Sequence, residues 1–369
     1  MGNFNDSKLE MFPRYEWADF VRGLLMIFVF IYHSEVYYYH EHSLSWIFVP
    51  FFLTGFFFIS GFLFSRNIRE LSIKGKVKQV FRGIVFPYVV FEMTLVVPKV
   101  LAGRSEALHF ILDIILFRGS WFVIAIGVMQ LLYAIVLKSR HVLMSLIGCS
   151  IVFFVLGIFL CCIYNPDSLC YNDVVQNQFL FSHELPNRLP FCLNLALLNC
   201  PFFALGIYCR MHNNFFMSHC TKPYLILSIV LYVLLYCLID HLCIGSFWNG
   251  ATGKYHNLLL MILYAVLGIW VTCCFSIFVE SFGIVNYIGR NSIIFAFLNG
   301  GALVFASSLI KKIVFFESSN YLCQISVALI ALLIVYMITV LISRYAPILR
   351  GDKNAFNNWS RRIGLNIIW

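Results

Sequence analysis

The chain alternates between long, continuously apolar runs and short polar connections. Each run is about 20 residues long, the length that a helix needs to cross the hydrocarbon core of a bilayer. A membrane β-barrel would alternate apolar and polar positions every second residue, and these runs do not. The pattern therefore predicts an all-α, polytopic transmembrane bundle of ten helical spans, near residues 17–39, 44–65, 81–101, 107–137, 142–164, 191–209, 223–244, 257–279, 284–310 and 321–343.

The fourth run is too long for one straight crossing. Arg118, Gly119 and Ser120 interrupt it, so we expect a short re-entrant or interfacial piece at 107–117 and a span at 121–137. The predicted number of spans is therefore ten, or eleven if 107–117 crosses the bilayer by itself.

Basic residues are distributed unequally between the two sides of this bundle. With the N-terminus inside, the inner connections hold 18 of the 26 Lys and Arg residues and the outer connections hold 7. Because cytoplasmic connections carry the excess of Lys and Arg, both termini are predicted to be cytoplasmic. The chain then divides into a cytoplasmic segment 1–16, a transmembrane domain 17–343 and a cytoplasmic tail 344–369.

Composition agrees with a membrane protein and excludes a water-soluble domain, a disordered or collagenous chain and a nucleic-acid-binding protein. The 369 residues are 61% hydrophobic and 12% charged, whereas soluble domains have about 25% charged residues. The net charge of +9 then reflects cytoplasmic connections, so no nucleic-acid partner is expected. The 13 cysteines form no CxxC pair, and we interpret them as reduced, buried residues that form neither a disulfide framework nor a metal site.

Ionisable residues within the first run are the strongest candidates for chemistry, because each costs about 2.5–3.5 kcal/mol at the centre of a membrane helix. Asp19, Arg22 and His33 share one helix face, with His33 roughly 21 Å beyond Asp19. Asp19 and Arg22 can neutralise each other. Glu35 points about 160° away from His33. Glu92, in the third run, is the better orienting partner for His33, although it could instead pair with a basic residue for packing.

Six short motifs follow one another along the chain, and in this order they resemble acyltransferase family 3, integral-membrane O-acyltransferases that modify sugars. The resemblance covers essentially the whole sequence. The motifs are Asp19-x-x-Arg22-Gly23 with His33 fourteen residues after the aspartate, a Phe-rich Ser-Gly stretch at 56–64, Pro87-Tyr88 after a basic segment, Trp121-Phe122, Pro-Phe-Phe-x-x-Gly at 201–206, and Gly-Arg-Asn-Ser within 287–292.

The resemblance implies transfer of an acyl group, most often acetyl, to a hydroxyl of a cell-surface or lipid-linked sugar such as an exopolysaccharide. Acetyl-CoA, or another acyl-CoA, is the expected donor substrate, and no permanently bound cofactor is expected. The expected location is a bacterial cell membrane, crossed several times. His33 would act as a general base or as an acyl relay, and the sequence leaves both roles open.

The donor carries phosphates, which require cations on the cytoplasmic side. Arg69, Lys78 and Arg82 lie in a basic segment between the second and third runs and, with Arg22, are the predicted donor-binding residues. A plain cytoplasmic loop would explain two or three of the charges in that segment. The segment also has lysines where relatives commonly have arginines, and lysine cannot form a bidentate pair with phosphate.

Asp19, Trp121 and Asn299 complete the predicted site as substrate-binding residues, with His33 and Glu92 as the catalytic ones. Asn299 stands where many relatives carry a histidine. A transporter or flippase of a lipid-linked saccharide, using His33, Arg22 and Glu92 as a relay, is the alternative function. Only the ordered motifs favour the enzyme over this transporter. An assembly or anchoring protein without chemistry is a third function, and it would not need His33.

Overall fold

The computed structural model describes residues 15–35, 44–64, 72–101, 107–164, 189–241, 248–249, 254–255, 257–279, 282–313 and 321–362. Apart from one hairpin, in which Trp248–Asn249 pairs with Lys254–Tyr255, its regular elements are helices, as the apolar runs predict. The α-helices are α1 (Glu16–Glu35), α2 (Val49–Phe62), α3 (Ile73–Val80), α4 (Phe86–Leu101), α5 (Ala107–Ile115), α6 (Trp121–Val136), α7 (Val142–Tyr164), α8 (Leu193–Met211), α9 (Asn213–His219), α10 (Lys222–His241), α11 (Leu258–Phe278), α12 (Gly283–Arg290), α13 (Ser292–Ile313), α14 (Tyr321–Tyr345) and α15 (Lys353–Arg362).

Eight helical segments in the described part of the chain are long and apolar enough to cross a membrane. The second predicted span and the later half of the fourth are shorter apolar helices, α2 and α6, of 14 and 16 residues. The membrane class is thereby confirmed, while the number of spans and the side of each terminus stay predictions. The eight segments are Glu16–Glu35, Ile73–Val97, Val142–Ile163, Pro190–Met211, Lys222–Ile239, Leu258–Phe278, Ser292–Lys312 and Tyr321–Tyr345.

Two features of the predicted runs can be compared directly with the structure. The interruption at 118–120 is confirmed, because α5 ends at Ile115 and α6 begins at Trp121. The predicted run 284–310 is wrong as a single helix, since it breaks at Asn291, whose side-chain amide donates to the Tyr287 carbonyl at 2.8 Å. An Asn that bonds to nearby backbone in this way competes with the helical hydrogen-bond pattern.

From Ile73 to Val80, the basic segment before the third run is helical, not a loop. Ser72 begins α3 by accepting a hydrogen bond from the Gly75 N–H at 3.2 Å, a standard N-cap. A π-helical turn over 81–85 then joins α3 to α4 without a gap. Side chains of this segment are therefore fixed on a helix face instead of extending from a flexible connection.

Glycines bring α1 against α12, and these two helices carry the first and last motifs. A Cβ added at Gly289 would lie 1.8 Å from the carbonyl oxygen of Asp19, and one added at Gly23 would lie 2.0 Å from that of Val285. Such distances are possible only for glycine, so the two backbones are in direct contact.

A second glycine pair brings α2 against α8. A Cβ at Gly61 would lie 1.9 Å from the Phe203 carbonyl oxygen, and one at Gly206 would lie 1.9 Å from that of Phe58. The Ser-Gly stretch and the Pro-Phe-Phe-x-x-Gly motif are therefore one packed unit, although about 140 residues separate them in the sequence.

Ring contacts establish that α2 runs antiparallel to α1. Trp17, near the start of α1, lies 4.9 Å from Phe62 at the end of α2. Phe28, near the end of α1, stacks at 4.6 Å on Phe48, which precedes α2.

The helix α12 runs antiparallel to α1, because its later residue Gly289 lies at Asp19 and its earlier residue Val285 lies at Gly23, whereas α13 runs parallel to α1. Asp19, near the start of α1, bonds to Arg290 at the end of α12, and Phe30, further along α1, lies 6.2 Å from Phe295 of α13. Position along α1 can therefore be compared directly with position along α13.

The direction of α6 follows from contacts at both of its ends. Phe122, at the start of α6, lies 5.2 Å from Phe56, and Tyr133, near its end, stacks on Phe203, which contacts Phe64 beyond α2. Hence α6 is parallel to α2 and antiparallel to α1.

Candidate functional site

A cavity of about 190 Å³ lies where α1, α2, α3 with its π-helical turn, α6 and α13 meet. Its lining holds one cation and four amide or hydroxyl side chains, and no carboxylate among the described residues that line it. Such a lining suits an anion or a strongly polar, uncharged group. The polar lining residues are Arg22, Ser60, Gln79, Gln130 and Ser292.

Arg22 is the predicted site residue that the structure places in this cavity. It lies on α1 one turn after Asp19, whose own position is fixed by the glycine contact between α1 and α12. Gln79, Gln130 and Ser292 were not predicted as site residues. Gln130 could have been found from the sequence, because it is an amide within the otherwise apolar run 121–137.

Asp19 is buried, with 3% of its surface exposed, and it accepts a hydrogen bond from Arg290 Nε at 3.2 Å. The sequence suggested Arg22 as its partner. The structure provides a cation from the Gly-Arg-Asn-Ser motif, so the first and last motifs are joined by this ion pair as well as by their glycines. A role for Asp19 in substrate binding stays a prediction.

His33 lies eleven residues beyond Arg22, about 16 Å along the α1 axis, and does not line the cavity. Its half-buried ring lies edge-on to Tyr32, 5.3 Å between centroids. No carboxylate pairs with it in the part of the chain that the structure describes. Phe30 and Phe295, both fully buried, lie between the level of the cavity and the level of His33.

Glu35 has a structural task at the end of α1. Its Oε1 accepts the Ser45 N–H at 2.8 Å and so holds the start of the short 3₁₀ helix Leu44–Ile47. This agrees with the expectation that Glu35 does not orient His33.

Glu92 lies against the interruption that precedes α6. Its Oε1 accepts the Ser120 N–H at 2.9 Å and also the Ser120 hydroxyl. The Gly119 N–H donates to the Tyr88 hydroxyl at 3.2 Å, and a Cβ at Gly119 would lie 2.9 Å from Glu92 Oε1. The Pro87-Tyr88 and Trp121-Phe122 motifs thus meet here as a third pair. Among the described contacts, Glu92 does not bond to His33, and its catalytic role stays a prediction.

Two of the basic residues near the cavity are engaged by backbone carbonyls. Lys76 Nζ donates to the Phe64 carbonyl at 2.6 Å and is 5% exposed, and Arg82 Nε donates to the Gly351 carbonyl at 2.9 Å. Lys78 is half-buried on α3. Arg69 lies outside the described residues. Donor binding by Arg69, Lys78 and Arg82 is therefore still a prediction. Arg82 also anchors the segment at Gly351 through its hydrogen bond.

Trp121 and Asn299 also lie outside the cavity. The Trp121 ring packs 6.4 Å from Phe57, while its neighbour Phe122 lines the cavity. Asn299 lies on α13 about one turn beyond Phe295, just as His33 lies about one turn beyond Phe30. The structure therefore places Asn299 at the level of His33.

The fold and the polar cavity within it define a helical membrane protein with a site for a small polar ligand. The chain belongs to acyltransferase family 3, since the family model described as an acyltransferase domain matches residues 15–345. It is therefore an acyltransferase, which disfavours the transporter and anchoring alternatives. No curated protein and no solved structure matches the chain.

Proposed function

We propose that this acyltransferase transfers an acyl group, acetyl in the first instance, from acyl-CoA to a hydroxyl of a cell-surface or lipid-linked sugar in a bacterial cell membrane. The observation that carries the proposal is the cavity with Arg22 in its wall. Arg22 lies there on the same helix as His33, so one helix links a cationic pocket to a candidate base.

The donor enters at the end of the bundle where α3 lies. The polar lining residue Gln79 belongs to α3, and the neighbouring Lys78 and the exposed Lys74 add positive charge there. Acyl-CoA is a cytoplasmic molecule, which agrees with the predicted cytoplasmic side of this segment. Its phosphates would meet the cations of α3, and Arg22 would meet a polar group deeper in the bundle.

His33 performs the chemistry at the opposite end of α1. The acceptor hydroxyl oxygen attacks the thioester carbonyl carbon, the C–S bond breaks, and CoA leaves as a thiol. His33 takes the hydroxyl proton as the C–O bond forms and returns it to the sulfur. In the relay form, an imidazole nitrogen first takes the acyl group from CoA, and the sugar hydroxyl then attacks the acyl-imidazole.

The test is mass spectrometry of surface glycan from cells that carry His33→Ala. We expect normal amounts of membrane-inserted protein and loss of the acetyl increment, because His33 is the group proposed to take the proton. His219→Ala is the matched control, since His219 is exposed on α9 and bonds to the Phe215 carbonyl. Acetylation that persists in His33→Ala would contradict the proposal.

The base and relay forms differ when the acceptor is absent. Membranes incubated with radiolabelled acetyl-CoA alone would acquire label on the His33 peptide only in the relay form. An active preparation without such label supports the base form.

A further inference from the structure

The segment that includes the end of α14 and all of α15 carries a strong positive charge. From residue 344 to residue 362 it holds five cations and one carboxylate, Asp352. The Asp352 Oδ1 accepts the Ala355 N–H at 2.8 Å and so caps α15. All five cations have exposed side chains, and they are Arg344, Arg350, Lys353, Arg361 and Arg362. A cationic surface of this kind indicates an anionic partner.

The helix α15 is amphipathic. Phe356 and Ser360, one turn apart, are 2% and 1% exposed and face the bundle. Arg361 lies about 140° around the helix from Phe356, and Arg362 lies about 120° from it on the other side. Both arginines therefore point away from the bundle. Trp359 lies only about 60° from Phe356 and is partly exposed, so it stands at the border between the two faces.

A ring contact places Trp359 at the edge of the membrane. Its ring lies 5.2 Å from that of Phe86, the first residue of α4. An exposed apolar stripe continues from Phe86 along one face of α4, and it consists of Val89, Met93 and Val97. Because Ile73–Val97 is long and apolar enough to cross a membrane, this stripe faces lipid. Trp359 therefore lies at the end of a lipid-facing surface, where tryptophans of membrane proteins contact headgroups.

An acidic phospholipid fits this surface better than a soluble anion does. The phosphates of acyl-CoA could pair with the arginines, but a soluble anion would not explain a tryptophan beside a lipid-facing stripe. A phospholipid offers both parts, a phosphate for the cations and an interface for the aromatic ring. Clusters of about four to eight Lys and Arg directly after a membrane helix are typical of sites for acidic lipids.

We propose that α15 and the connection before it bind acidic phospholipid headgroups on the predicted cytoplasmic side. Arg361 and Arg362 pair with lipid phosphates, Arg350 and Lys353 add to the attraction, and Trp359 lies among the headgroups. None of these side chains lines the cavity in the part of the chain that the structure describes, so lipid binding at α15 is separate from acyl transfer.

The experiment places the full chain in phosphatidylcholine vesicles that contain a minor fraction of a brominated lipid, since bromine quenches a tryptophan that it contacts. Brominated phosphatidylglycerol is compared with brominated phosphatidylcholine, and the signal of Trp359 is the difference between the wild type and Trp359→Phe. We expect Trp359 to be quenched preferentially by phosphatidylglycerol. Arg361→Gln combined with Arg362→Gln should lower that preference by at least about fivefold. High salt should lower it as well.

Lys138→Gln combined with Arg140→Gln is the matched control, because these cations are also exposed on the predicted cytoplasmic side and the change in charge is the same. The control should keep the preference. Equal quenching by the two brominated lipids in the wild type, or the same loss in the control, would overturn the inference. Quenching that excess acetyl-CoA abolishes would assign the arginines to the donor and overturn it too. Acyl transfer measured in the same vesicles tests the proposed function separately.

Discussion

Buried charges in this bundle mostly hold helix ends in place. Lys76 donates to the Phe64 carbonyl just past the end of α2, where the helix dipole favours a cation. Glu92 accepts from Ser120 at the start of α6, where the dipole favours an anion. A charged residue in a membrane helix is therefore not by itself a sign of catalysis. Arg22 differs from Lys76 and Glu92 because it lines the cavity.

Substitution of Glu92 can distinguish a helix-capping role from a catalytic role. Glu92→Gln keeps the Oε1 acceptor for the Ser120 N–H, whereas Glu92→Ala leaves a buried donor unpaired, at a cost of about 1–3 kcal/mol. We expect Glu92→Gln to keep acyl transfer within about twofold and Glu92→Ala to lower the thermal unfolding temperature in detergent.

The two substitutions are each other's control in that experiment. A Gln variant as inactive as the Ala variant, but as stable as the wild type, would show that the carboxylate charge itself is needed for catalysis.

The sequence identifies the unusual residues at this scale but not their partners. Asp19, Arg22 and Glu92 stand out because each is ionisable within an apolar run. The Arg290 partner of Asp19 is 271 residues away, and the Ser120 partner of Glu92 is 28 residues away. Neither pairing follows from helical periodicity, because both depend on which helices become neighbours.

At the scale of elements, glycines and a capping contact pair the motifs. The first motif packs on the last, the Ser-Gly stretch packs on the Pro-Phe-Phe-x-x-Gly motif, and the Pro-Tyr motif meets the start of α6. The order of the motifs along the chain is visible in the sequence, whereas their pairing requires the structure. Helix contacts of this kind depend on small residues that allow close backbone approach.

Two glycine-to-alanine substitutions on neighbouring elements should have opposite effects. Gly289→Ala places a Cβ 1.8 Å from the Asp19 carbonyl oxygen and should destabilise the protein by about 1–3 kcal/mol. Gly300→Ala, in α13, meets nothing within 4 Å and should stabilise the helix by about 0.5–1 kcal/mol. Thermal unfolding in detergent measures both.

Equal shifts in the unfolding temperature of the two variants would contradict the close contact between α1 and α12.

The break between α12 and α13 at Asn291 could not be predicted from hydropathy, because apolar residues continue on both sides of it. At this break the Asn291 side chain donates a hydrogen bond to the Tyr287 carbonyl. One such bond does not change the mean hydropathy of the surrounding residues.

At the scale of the whole molecule, the segment after the family match packs against a residue of the cavity wall. Gly351 accepts from Arg82, and a Cβ at Gly351, where φ is +73°, would lie 2.8 Å from the Cα of Gly83. Gly83 lines the cavity. Phe356 of α15 is 2% exposed and packs on Phe86 at 5.3 Å.

Phe356→Ala tests whether this docking supports the cavity. The loss of a buried phenylalanine should weaken the attachment of α15 by about 3–5 kcal/mol. We expect a raised KM for acyl-CoA with little change in kcat, because His33 is remote from the segment while Gly83 is held by it. Kinetics in membranes measure both constants.

Phe305→Ala is the control, since Phe305 is 60% exposed on α13. A KM unchanged in Phe356→Ala, together with easier proteolysis of the C-terminal segment, would show that α15 docks without shaping the cavity.

The bond between Asp19 and Arg290 also constrains how the protein is made. Its partners are 271 residues apart, and ribosomes add about 5–20 residues per second, so roughly 15–55 s pass between their synthesis. During that interval the first helix resides in the membrane without the helix that its glycine surface fits. Biogenesis therefore has to end with the last quarter of the chain returning to the first helix, and a ribosome that stalls before Arg290 would leave that surface exposed to the insertion machinery.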